Sequence, residues 1–318
     1  MFKLIQNEWL KILKRPGTYV MTGLLVFMIM LVGGIVKYQL VKENPQEDKN
    51  WKQTMRVEVN QAKLELKNMG HAPKQVVEAT QKNIALKEYQ INHSIPPTQK
   101  YAVWDFVSSG SGMIQLAGLF TIIIAAGIVS SEFTWGTIKF LLIRPISRGK
   151  ILVSKYITVI MFSIVMLVIL FSLSSLLGVI LFGTPETSVP YLNYLNGKVT
   201  EQNMALHLII LYGMKSIGMI MLATMAFMIS AAFRNSSLAI GISIFLLFTG
   251  GELTGLLALK FNWAKYILFA NTDLMQYFEG DPMVDGMTLS FSVIMLAVYF
   301  IIFQSIAFYV FKKRDVAA

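Results

Sequence analysis

Apolar residues run unbroken for long stretches along this chain, and the charged residues gather between the runs. Pro16–Val36, Phe106–Ser131, Tyr156–Pro185, Ser216–Phe233, Asn235–Gly251 and Gly286–Phe311 hold no Asp, Glu, Lys or Arg. These runs are 17 to 30 residues long. A membrane-crossing helix needs roughly 17–25 apolar residues. The pattern therefore predicts an all-α polytopic membrane protein with six spans, at 16–40, 106–131, 151–185, 204–233, 235–252 and 286–311. The first run is read as a span and not a cleaved signal. Its basic lead-in is long, its core exceeds a usual signal core, and no small-x-small site follows it.

Between the spans the periodicity changes. In residues 1–15, Phe2, Ile5, Trp9, Ile12 and Leu13 share one helical face, and Lys3, Asn7, Lys11, Lys14 and Arg15 lie opposite. This is an interfacial amphipathic helix, with Trp9 as the anchor at headgroup level and the lysines facing anionic lipid. It serves either as a plain anchor or as an elbow packed beside the membrane machinery. Residues 41–105 form the one large polar insertion. Trp51, Met55, Val59, Ala62, Leu66 and Met69 recur at helical spacing up to Gly70, a C-cap. A second helix carries Val77, Ile84 and Ile91 and stops at Pro96-Pro97. Two amphipathic helices with a tight turn predict an antiparallel hairpin. The 186–203 segment is read as a loop, and 253–285 as a re-entrant or interfacial element. The basic tail is 312–318.

Charge then orients the spans. With both termini cytoplasmic, the inner segments hold thirteen Lys and Arg and three acids, Glu8, Glu132 and Asp315. The remaining fifteen basic and fifteen acidic residues cancel, so the whole net charge of +10 falls inside. That is the positive-inside distribution, and it removes the case for nucleic acid. The 41–105 hairpin is then extracellular, with ten basic residues against eight acids.

Composition excludes several chemistries. The chain has no cysteine, hence no disulfide, thiolate metal site or cysteine nucleophile. Its three histidines, His71, His93 and His207, are far apart, and no metal site is expected. The acids Asp273, Glu279, Asp281 and Asp285 lack calcium-loop spacing and read as a solvated loop. No phosphate-cradling Gly-x-x-x-x-Gly-Lys-Ser/Thr loop is present, so the chain binds no nucleotide by that route. No catalytic cluster emerges from the few acids of the inner face.

Spans four and five meet at a tight turn, Phe233-Arg234-Asn235. Lys215 precedes Arg234 by 19 residues and Glu252 follows it by 18. At 1.5 Å per residue both lie about 27–28 Å from the turn. Ionisable groups in spans are functional candidates, so a Lys215–Glu252 ion pair is one expectation and separate snorkelling is the other.

The loop at 132–150 is the most informative. Gly136 breaks the descending helix, Thr137 to Ile143 allow two helical turns, and Pro145 stops them. Ser147 is placed to N-cap the next span. A short amphipathic helix held between two long spans is a rigid lever. The residues Glu132, Gly136-Thr137, Leu141-Leu142, Pro145, Ser147-Arg148 and Lys155 resemble the signature of ABC-2 type exporter permeases, closest to the bacterial bacitracin- and lantibiotic-resistance group. That resemblance covers the whole chain and implies a permease subunit of the bacterial plasma membrane. It implies that Glu132, Gly136, Thr137, Ile138, Leu141, Leu142, Arg144, Pro145 and Arg148 form the coupling segment for a separate ATPase, present in two copies. It implies a second permease subunit, as homodimer or heterodimer, and ATP and Mg bound by the partner, with no cofactor on this chain. The cargo expected is an amphipathic or peptide-like compound. A secondary transporter and a non-transporting sensor subunit are the alternatives.

Overall fold

The computed structural model describes residues 1–43, 50–68, 70, 74–97, 101–137, 146–185, 190–195, 197–278 and 282–313. Helix α1 is Phe2–Leu13. After two residues the chain enters α2, Pro16–Glu43, with proline at the first helical position, where its missing N–H costs nothing. Helices α3, Trp51–Asn68, and α4, Lys74–His93, pack antiparallel. Lys63 pairs with Glu88 and Lys87 with Glu58 across them. Such exposed pairs contribute about 0–1 kcal/mol each, so the apolar seam of Met55, Val59 and Ile84 matters more.

The second span tightens for one turn near its start. Helix α5, Val103–Gly110, passes through a 3₁₀ turn, Ser111–Met113, into α6, Ile114–Thr134. Sequence reading placed this span at 106–131 without that turn. Helix α7, Arg148–Phe182, starts with Ser147 Oγ accepting from the Lys150 N–H, as expected of its cap. The segment read as a loop at 186–203 instead contains a two-stranded antiparallel hairpin, β1 (Tyr191–Leu195) and β2 (Lys198–Gln202). Gly197, at φ +78°, supplies the left-handed residue that its turn requires. Helix α8 is Met204–Phe233 and α9 is Ser236–Ala258. They meet at Arg234, left-handed at φ 55°, and Asn235, whose side chain accepts from the Leu238 N–H. Helix α10 is Leu289–Lys313.

Among the described residues, six helical segments are long and apolar enough to cross a membrane. This is a multi-pass helical membrane protein. The spans are unequally buried. Buried residues make up 61% and 67% of the apolar windows of α5–α6 and α8, and 17–22% of the other four. The α6–α8 pair is thus the centre, and the outer helices turn apolar faces outward. In water such faces would drive aggregation; in lipid they are solvated.

Between α9 and α10 three 3₁₀ turns, Asn262–Tyr266, Leu268–Ala270 and Leu274–Tyr277, fold back on the bundle. They lie in the segment read as a re-entrant or interfacial element at 253–285, whose first residues belong to α9. Buried Asn271 holds them. Its amide donates to the carbonyls of Lys265 and Ile267 at 2.9 and 2.8 Å, and its oxygen accepts from Ser292 of α10 at 2.7 Å.

Candidate functional site

One end of the bundle is organised around the last turns of α6. Glu132, in the last turn of that helix, is buried. Lys155, in the second turn of α7, is 1% exposed and donates to Glu132 at 3.0 Å. The same ammonium donates to Glu8 of α1 at 2.7 Å. Lys11, one turn further along α1, bridges the same two acids, at 2.8 Å to Glu132 and 3.1 Å to Glu8. Thr137 donates its hydroxyl to the other oxygen of Glu132. Two carboxylates and two ammonium groups thus balance to zero charge in a largely buried site. Buried ions persist when they are paired and hydrogen-bonded, and here each carboxylate has at least two donors.

Lys11 lies outside the spans and is partly exposed. Burial alone pulls its pKa down, but the hydrogen bond and charge of Glu132 and the charge of Glu8 outweigh it. Its pKa is raised above the ordinary 10.5.

Neighbouring contacts tie the rest of this end to α6. Arg15 lies over the Trp135 ring at 5.4 Å. Arg234 lies over Phe133 at 4.3 Å. Ser230 of α8 donates to the Ala126 carbonyl, and Ser236 of α9 meets Ser130, each at 2.5 Å. Arg148 donates to the Lys312 carbonyl at 3.2 Å. Among the described residues, Lys11, Arg15, Arg148, Lys155, Arg234 and Lys312, all assigned to one side by charge, lie at this end of the bundle.

The ion pair forms a clasp between two helices: Glu132–Lys155 joins the end of α6 to the start of α7, the helices that precede and follow residues 136–147 in the sequence. Gly136 has φ +68°, a conformation that glycine adopts at little cost, and α6 ends two residues before it. Of the predicted coupling residues, Glu132, Gly136, Thr137 and Arg148 are found here. Ile138, Leu141, Leu142, Arg144 and Pro145 lie outside the described residues.

The apolar face read for α1 is divided: Ile12 is buried and Trp9 is half-buried against the core, with Glu8 beside them, while Phe2 and Leu13 are exposed and available to lipid. The structure does not bring Lys215 to Glu252. Lys215 donates to Ser111 Oγ at 3.1 Å, and Glu252 is exposed. Equal depth along two antiparallel helices did not mean equal azimuth.

From the sequence, Glu8 and Lys11 counted only as charges of the inner side, and Lys155 only as one of the residues that carry the resemblance. A signal was present. Glu8 is a lone acid among the basic residues of the first helix, three residues from Lys11, and Glu132 is a lone acid at the end of an apolar run. Isolated ionisable groups at span ends call for partners.

No group of three or more His, Cys, Asp or Glu with metal-holding geometry occurs among the described residues. The fold and this charged end define a polytopic membrane protein. Residues 76–317, well over half of the chain, match the model of a family described as "Protein of unknown function (DUF2705)". The chain belongs to that family. It is 49% identical over 319 residues to "Uncharacterized protein YhcI" of Bacillus subtilis (strain 168), with 100% of both chains aligned. It is 37% identical over 198 residues to "Uncharacterized membrane protein YdbK" of the same organism, across 62% of this chain and 76% of that one.

Proposed function

We propose that the chain is the membrane-spanning permease subunit of an ATP-driven ABC-2 type exporter in a bacterial plasma membrane. Its termini and the charged end of the bundle face the cytoplasm, and α3–α4 form an extracellular hairpin. Helix α1 is the elbow, and the 137–143 segment is the coupling helix for a separate ATPase that binds ATP and Mg. Two permeases and two ATPase subunits complete the pump. The chain itself is not an enzyme, and its cargo is an amphipathic or peptide-like compound.

The observation that carries this reading is the clasp. Glu132 and Lys155 join the two helices that bear the 136–147 loop, so a push on that loop moves α6 and α7 together. Lys11 and Glu8 pass the same motion to α1. The concentration of basic residues at this end supports the orientation. Secondary transport asks for ionisable groups or broken helices near the midplane. Here the buried ion pairs sit at one end of the spans.

The test is co-purification from the native membrane. A tagged chain should bring down an ATPase subunit. Leu141→Glu with Leu142→Glu should abolish that association without changing the melting temperature of the permease. Recovery of no ATPase, or a complex that survives the double change, would refute the coupling assignment.

A further inference from the structure

The loss of the expected Lys215–Glu252 pair leaves an ammonium group inside a span with no carboxylate within 4.0 Å among the described residues. Lys215 lines a cavity of about 380 Å³ between α6, α8, α9 and the 3₁₀ turns. That size falls in the range of small-molecule sites, roughly 300–1,000 Å³. The walls are apolar, from Ile114, Met219, Leu222, Leu247 and Phe269. Polar groups cluster with Lys215 near the start of the second span, where Ser111 and Gln115 stand. The tightened turn of the second span carries Ser111, which accepts from Lys215, and Gly112, which lines the cavity without a side chain.

Depth adds a second constraint. Lys215 lies about 28 Å along α8 from Arg234, and the hydrocarbon core is about 30 Å thick. The ammonium therefore sits where head groups meet acyl chains in the leaflet opposite the charged end. Asp273 is exposed at the cavity rim and accepts from the Met275 N–H. Its charge opposes any anion in the cavity, and a dianion more than a monoanion.

We infer that this cavity binds a monoanionic amphiphile: a single carboxylate or phosphodiester head on Lys215, with its apolar tail along α6, α8 and α9. This stands independently of any ATPase partner. A membrane lipid and an amphiphile arriving from solution share that chemistry.

The full-length protein would be placed in phosphatidylcholine nanodiscs and titrated with a pyrene-labelled fatty acid and with the pyrene-labelled alcohol of equal length. The acid should bind saturably and the alcohol about tenfold more weakly or worse, since one charge-assisted hydrogen bond is lost. Lys215→Met should weaken acid binding by about tenfold and leave the alcohol unchanged, and Lys215→Arg should stay within about threefold of the parent. Gly251 lines the cavity, and a Cβ built there meets nothing within 4 Å. Gly251→Phe should therefore fill the space and weaken both probes while leaving Lys215 intact. Displacement of the fatty acid by added phosphatidylglycerol would assign the site to a membrane lipid. Retained fatty-acid binding in phosphatidylglycerol would assign it to a soluble amphiphile. Equal binding of acid and alcohol, or unchanged binding in both Lys215→Met and Gly251→Phe, would overturn the inference.

Discussion

Lys155 is the residue on which the charged end depends. It is 1% exposed and serves two acids on two other helices. Lys155→Met leaves Glu8 and Glu132 close together with one ammonium, that of Lys11. Removing one partner of a buried pair costs about 3–5 kcal/mol, and a clear drop in melting temperature in detergent should follow. Adding Glu8→Gln to Lys155→Met should restore part of the loss, because Lys11 and Glu132 then balance each other. Lys11 acts differently, being partly exposed and screened. Its folded pKa is raised, so its contribution is full below its ordinary 10.5 and is lost as pH rises through the higher folded value. A pH series of melting temperatures should fall at the alkaline end, and Lys11→Met should flatten that portion only.

Helix packing is set at a few small residues. An added Cβ at Gly178 of α7 would meet Val103 Cγ2 at 2.9 Å and the Val103 backbone at 3.2 Å. Backbone has nowhere to retreat, so Gly178→Ala should push α5 from α7 and destabilise by about 1–3 kcal/mol. Gly213 of α8 has nothing within 4 Å of an added Cβ. Gly213→Ala should be neutral or slightly stabilising, since alanine favours the helix by up to about 1 kcal/mol. Thermal melts of the two variants side by side check both statements. The spans themselves were legible in the sequence to within a few residues at most ends, because exclusion of charge over some twenty positions is a local property. The tightened turn at Ser111–Met113 was not, because Gly110 and Gly112 sit in a run that reads as continuous apolar helix. Gly110 is crowded by Ser174 and by the Tyr212 hydroxyl, which donates to the Val107 carbonyl at 2.8 Å. Those partners come from other helices.

For the whole molecule, the distribution of charge makes a test that the absence of cysteine simplifies. Single cysteines need no prior removal of native thiols. A membrane-impermeant maleimide applied to intact cells should label Gln61→Cys, in α3, and should reach Ser147→Cys, beside the charged end, only after permeabilisation. The reverse pattern would invert the proposed orientation, and labelling of both in intact cells would break the span count. Gathering of the basic ends around α6 agrees with the charge pattern, yet the sequence pattern did not reveal that the same end is neutralised at its centre.

By itself the sequence determined that this chain is a helical multi-pass membrane protein with six runs long and apolar enough to span, where the polar insertion lies, and that Ser147 caps the third of those helices. Those properties depend on the length of apolar runs and on neighbours a few positions away. The tertiary structure alone decided that Glu8, Lys11, Glu132 and Lys155 meet, that Lys215 turns to Ser111 and a cavity instead of Glu252, and that α6 and α8 form the centre. Each of these depends on the rotation of one helix about its axis relative to another. Apolar faces that suit lipid and apolar faces that suit a neighbouring helix have the same composition, so only packing distinguishes them.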